Sequence, residues 1–121
     1  MKYVILVAAL LAFATSTANA AAQRLHVIGS GRSSGEFAVT AASGSKNHAR
    51  AIYLRGYGRG LSGLGVVACS RGLASIGSKS TNLKSMRSGR LYKLRLPFAG
   101  GDCDVTASLS GMGSIRLQIL A

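Results

Sequence analysis

The 121-residue chain carries 15 Lys and Arg against 3 Asp and Glu, a formal charge of +12, with 16 Gly, 2 Cys, 1 Pro and no Trp. That length allows one small domain and excludes a (β/α) barrel of roughly 250 residues, while three acids leave almost nothing for a carboxylate calcium cage or a glycosidase pair. With 48% hydrophobic and 15% charged residues, the composition is that of a chain able to build a core.

Lys2, the apolar run from Val4 to Ala14 and the small-residue triplet Ala18-Asn19-Ala20 have the layout of a secretory signal peptide. Cleavage is expected after Ala20, with Ala22 as the other position that fits. The run is too short to cross a hydrocarbon core of about 30 Å, and no comparable stretch follows, so no transmembrane span is expected in the mature chain. Removing 1–20 takes away one charged residue, Lys2. The remaining segment, 21–121, is a basic, Gly-rich β domain with 14 basic and 3 acidic residues, ten of the former being Arg.

Period-2 alternation recurs between Gly/Ser clusters, as expected of short half-buried strands. Leu25 and Val27 oppose Arg24 and His26. From Glu36 to Ala42, Phe37, Val39 and Ala41 are expected inward. Between Arg50 and Arg55, Ile52 and Leu54 point inward and Tyr53 and Arg55 outward. Gly65 to Cys69 is apolar on both faces and reads as a central strand. Residues 77–89 are polar, basic and bounded by Gly, which predicts a long loop with at most one helical turn near Thr81 to Met86. Tyr92, Leu94 and Leu96 then oppose Lys93 and Arg95. Cys103, Val105, Ala107 and Leu109 share one parity, and Ile115, Leu117 and Ile119 continue it beyond Gly111-Met112-Gly113, a pattern that predicts a hairpin.

About seven short antiparallel strands and little helical periodicity predict an all-β fold, a small single-domain sandwich or barrel. The immunoglobulin version lacks its Trp, and Gly101 stands two residues before Cys103, where a tyrosine corner needs Tyr. Cys69 and Cys103 share inward parity with Val67 and Val105. In an exported chain they predict one disulfide tying two sheets together; free thiols or an intermolecular bond are the alternatives. There is no CxxC and no His near either Cys in sequence, so no metal site is assigned.

Several motifs have plainer explanations. Gly31-Arg32-Ser33-Ser34-Gly35 matches G-x-S-x-G, but a strand rather than a helix follows, so a hairpin loop accounts for Ser33. Gly29 to Gly35 offers successive amides and Arg32 to an anion, yet matches no phosphate-loop spacing and reads as a turn. Arg59 to Gly65 echoes Arg71 to Gly77, as hairpins with Gly-rich turns do. Asp102 and Asp104 are expected to pair with nearby Arg.

The charge is the strongest signal. Arg forks match phosphate, sulfate and carboxylate, and Tyr53 and Tyr57 lie among cations. The expected function is an exported (secreted or periplasmic), non-catalytic module binding an anionic surface or polymer: envelope lipid phosphate, acidic polysaccharide, nucleic acid or acidic protein. An antimicrobial role belongs to the same reading. Its expected anion-binding residues are Arg50, Arg55, Arg59, Lys84, Arg87, Arg90, Lys93 and Arg95, with no catalytic residue, cofactor or metal. Two alternatives stand beside it. One is a small secreted ribonuclease or nuclease-like toxin using His26, Glu36 and His48. The other is an inhibitor or assembly subunit acting on a protein partner through a sheet edge. Oligomeric state is left open.

Overall fold

A computed structural model describes residues 24–121, so the expected signal peptide, 1–20, lies outside the described residues. Six antiparallel strands form one sheet: β1 (Val27–Ser33), β2 (Ala38–Lys46), β3 (Tyr53–Arg71), β4 (Ala74–Met86), β5 (Leu91–Lys93) and β6 (Asp102–Leu120). The all-β expectation holds, with six strands rather than seven. The number falls because β3 and β6 each run for 19 residues and pair with one another along nearly their whole length.

Irregularities in that central pair, between Tyr57 and Arg59 and between Arg59 and Ser62, mark where the sheet folds over on itself. On one side of the fold, β2, the first half of β6, the second half of β3 and β4 lie side by side. On the other side lie β1, the second half of β6, the first half of β3 and β5. These two layers face each other, and Ile52, Leu54, Val67, Leu94, Val105, Leu109, Leu117 and Ile119 fill the space between them. Burying each such side chain is worth about 1.5–3 kcal/mol, which is what holds the fold closed.

Gly111-Met112-Gly113 is therefore no hairpin turn. It sits at the bend of one continuous strand, where Met112 opposes Arg59 and the Gly113 amide donates to the Gly35 carbonyl (2.8 Å). Alternation on either side of a bulge looks the same in sequence as alternation on either side of a turn.

Residues 77–89 form no long loop with a helical turn, because β4 occupies most of them. Gly72, at φ 63, closes a tight turn out of β3, and β4 then runs back along it from Ala74. Opposite the buried Cys69, Val67, Gly65 and Gly63 of β3 it sets Gly77, Lys79, Thr81 and Leu83, all of them half-buried or exposed. The hydrophobic period is lost for that reason.

On β2 the expected faces are exchanged. Phe37 is 89% and Val39 66% exposed and Ala41 also faces solvent, while Ala38 and Thr40 are buried. The cause is the close approach of β1. A methyl group on Gly44 would meet the Ile28 carbonyl oxygen at 2.8 Å, and one on Gly31 would meet Thr40 Oγ1 at 2.6 Å. Only small side chains fit between these strands, and the large apolar ones turn outward. Val27 is likewise exposed, since the β1–β6 register shifts between Val27 and Gly29. The segment Gly65–Cys69 is central, but Ala68 faces solvent, so it is covered on one face.

The disulfide forms as expected, but within a layer. Cys69 and Cys103 are direct cross-strand partners on β3 and β6, so their bridge joins neighbouring strands rather than two sheets.

Candidate functional site

The second layer turns its outer face to solvent with a composition unlike that of the first. Arg32 on β1 lies directly opposite Arg116 on β6, and Arg116 directly opposite Tyr57 on β3. The adjacent row holds Ser30, Gln118, Arg55 and Leu91, and the next pairs Tyr53 with Lys93. Residues opposite one another in neighbouring strands share a face, so four cations, two tyrosines and an amide project together.

Two of the guanidinium groups are held in place. Arg55 donates from Nε and Nη2 to Gln118 Oε1 at 3.0 and 2.7 Å. Its Cζ lies 5.5 Å from the Tyr57 ring centroid, and that of Arg116 lies 4.3 Å away. Beside this row is an open groove of about 610 Å³, lined by Arg32, Ser33, Ser34, Tyr57, Ser114 and Arg116.

Two arginines directly opposite each other repel. Two of the three acids are engaged elsewhere. Asp104 accepts from Ser45 Oγ (2.6 Å) and Asp102 from the His48 amide (3.2 Å), both at the start of β6, not from Arg as expected. Glu36 is exposed in the β1–β2 connection. The outer face of the first layer differs, with Val39, Ala41, Leu64, Val66, Thr106 and Ser108 outward and Asp104 and Lys84 at its margins.

Of the expected anion-binding residues, Arg55 and Lys93 lie on the cationic face. Arg59 stands at the fold-over bend opposite Met112. Arg87 and Arg90 flank the β4–β5 connection, where the Arg87 amide donates to Tyr92 Oη (2.7 Å) and the Arg90 Cζ lies 5.7 Å from the Tyr92 ring. Lys84 is on β4, Arg95 follows β5 with its amide on Thr81 Oγ1 (2.9 Å), and Arg50 precedes β3. The set is thus spread over a face, a connection and two margins. Arg32 and Arg116 complete the face. Arg116 has an outward parity that sequence shows, but the β1–β6 pairing that brings Arg32 to it spans more than 80 residues.

The nuclease set does not converge. Glu36 precedes the nine-residue β2 and His48 follows it, a separation of roughly 30 Å at 3.3 Å per residue. His48 sits at φ 55 in the turn after β2, its Nδ1 3.4 Å from the Gly100 carbonyl oxygen. Among the described residues no group of three His, Cys, Asp or Glu gathers as a metal site would require, and no helix is long and apolar enough to cross a membrane.

No family model matches the chain, and no curated protein matches it. Solved structures similar to it are distant. The enzymatically active domain of bacteriophage CBA120 tailspike protein 4 is 12% identical at a TM-score of 0.39, the match covering 67% of this chain and 13% of that one. TmCBM61, in complex with β-1,4-galactotriose, is 11% identical with TM-score 0.39, covering 79% and 83%. The carbohydrate-binding module CBM36, in complex with calcium and xylotriose, is 18% identical with TM-score 0.37, covering 69% and 77%.

Proposed function

We propose that this protein is an exported, non-catalytic module that binds acidic polysaccharide through the outer face of its second layer. The observation that carries the reading is the row Arg32, Arg116 and Tyr57. Two cations stand directly opposite one another with no acid between them, beside an open groove edged by serine hydroxyls. A folded chain tolerates such repulsion when an anion relieves it on binding, and the geometry favours a charged sugar over a base. The Tyr57 ring already lies against two guanidinium groups, so it holds them in place rather than offering itself as a stacking platform. Ser33, Ser34 and Ser114 add the hydroxyl partners that a glycan requires. The signal-peptide layout of 1–20 and the Cys69–Cys103 bridge fit an oxidising compartment, secreted or periplasmic. An antimicrobial action would use the same face, docked on acidic glycans of a bacterial envelope.

Calorimetric titration with dextran sulfate, single-stranded DNA and neutral dextran tests this reading. Dextran sulfate is expected to bind with an affinity that falls steeply with salt, since docking on a polyanion releases counterions. Arg116→Gln should weaken that binding about tenfold, the loss of about 1.4 kcal/mol expected when one charge-assisted contact is removed. Equal affinity for neutral dextran, or a preference for single-stranded DNA, would overturn it.

A further inference from the structure

We propose that the groove lined by β1, β6 and β3 recognises a tetrahedral oxyanion ester, a sulfate or phosphate group carried on the polysaccharide, in preference to a carboxylate. This rests on the polysaccharide reading and narrows it to one ligand chemistry. A planar carboxylate has two oxygens and is satisfied by a single guanidinium fork. The groove presents two, Arg32 and Arg116, on adjacent strands in direct register. A tetrahedral ester presents three free oxygens in three directions, enough to take a fork from each side and a hydroxyl besides.

Three features of the groove match that demand. Arg116 is held against Tyr57 at 4.3 Å, so its planar donor edge is oriented before any ligand arrives. Ser33, Ser34 and Ser114 surround the two forks with hydroxyls that can donate to the remaining oxygen. The neighbouring Arg55 donates from Nε and Nη2 to Gln118 and does not line the groove, so the forks that face the ligand are those of Arg32 and Arg116. The paired charge also favours an ester phosphate or a cluster of sulfates over one isolated carboxylate, because two positive groups in direct opposition are relieved in proportion to the negative charge placed between them.

The test uses four dextrans of the same chain length, three at matched charge density: sulfated, phosphorylated, carboxymethylated and neutral. Their dissociation constants are measured at one fixed salt concentration against the whole chain and three variants. Sulfated or phosphorylated dextran is expected to bind at least tenfold more tightly than carboxymethyl dextran, and whichever of the two is tighter names the ester. Arg32→Gln and Arg116→Gln should each remove most of that preference, while Arg71→Gln, at the end of β3 in the first layer, leaves it intact. The thermal midpoint of Arg32→Gln should hold or rise, because the substitution relieves a like-charge pair and so reports on recognition rather than folding. Carboxymethyl dextran bound within twofold of the esters, or an Arg32→Gln effect no larger than that of Arg71→Gln, would overturn the ester preference while leaving the polysaccharide reading in place. Failure of all three charged polymers to bind would overturn both.

Discussion

The Arg116 guanidinium carbon lies 4.3 Å from the centroid of the Tyr57 ring, its direct cross-strand partner, and Arg55 approaches the same ring at 5.5 Å. One aromatic side chain therefore positions two of the cations on the candidate binding face. A cation over a tyrosine face at an exposed site is worth about 0.5–1 kcal/mol. Tyr57→Leu should therefore lower stability by about 1 kcal/mol and weaken dextran sulfate binding roughly tenfold, because both guanidinium groups regain rotamer freedom that binding must then remove. Tyr57→Phe keeps the ring and should leave both quantities near their starting values. Denaturant unfolding and calorimetry read the two effects separately, and a Tyr57→Phe variant as impaired as Tyr57→Leu would show that the hydroxyl, not the ring, matters.

Gln118 holds Arg55 from the other side, its single Oε1 accepting from Nε and Nη2 at 3.0 and 2.7 Å. Gln118→Glu keeps that geometry and adds a negative charge to the face. For a half-buried pair open to solvent the expected gain in stability is modest, on the order of 0.5–1 kcal/mol. Affinity for a sulfated glycan should move the other way, falling several-fold, since the face loses a net positive charge. Stability and binding changing in the same direction would contradict an electrostatic role for this face.

The packing between β1 and β2 makes a separate prediction. A methyl group on Gly44 would meet the Ile28 carbonyl oxygen at 2.8 Å, and backbone cannot step aside as a side-chain end can. Gly44→Ala is expected to cost about 1–3 kcal/mol, the usual range for overpacking a close contact. Gly65→Ala meets only the tip of Leu94, at 2.8 Å, and should cost less because that side chain can rotate. Chemical denaturation of the two variants gives the order directly.

That same approach explains how much of the fold was legible in the residues. Where a strand faces a filled core, alternation reports its inward side, so Ile52, Leu54, Leu94 and the run from Cys103 to Leu109 were assigned to the correct face. Where two backbones touch, the rule inverts. Phe37 and Val39 are displaced to solvent because nothing larger than Ala or Thr fits beneath β1, and no local pattern announces a contact made by a strand elsewhere in the chain. β4 was hidden for the converse reason, since its inward side meets little and so needs no apolar period. The candidate site divides in the same way. Arg55, Lys93 and Arg116 alternate visibly outward, whereas the opposition of Arg32 and Arg116 depends on pairing between the first and last strands, which sequence alone does not display.

The bridge between Cys69 and Cys103 closes a separation of 34 residues, and on the loop-entropy model it stabilises the fold by about 4 kcal/mol. That is a large share of the roughly 5–15 kcal/mol typical of a domain. The bridge reinforces a pairing that does not depend on it, since β3 and β6 remain joined along their length without it. Replacing both cysteines by Ala should therefore lower the thermal midpoint by roughly 15–30 °C, at about 4–8 °C per kcal/mol for a domain of this size, without abolishing the β-sheet signal in circular dichroism. Below the new midpoint, affinity for sulfated dextran should stay within twofold of the parent. The bridge lies in the first layer at the start of β6, whereas Arg32, Arg116 and Tyr57 lie on the outer face of the second. Loss of binding with the sheet still folded would mean that the bridge, and not local pairing alone, sets the geometry of the cationic face.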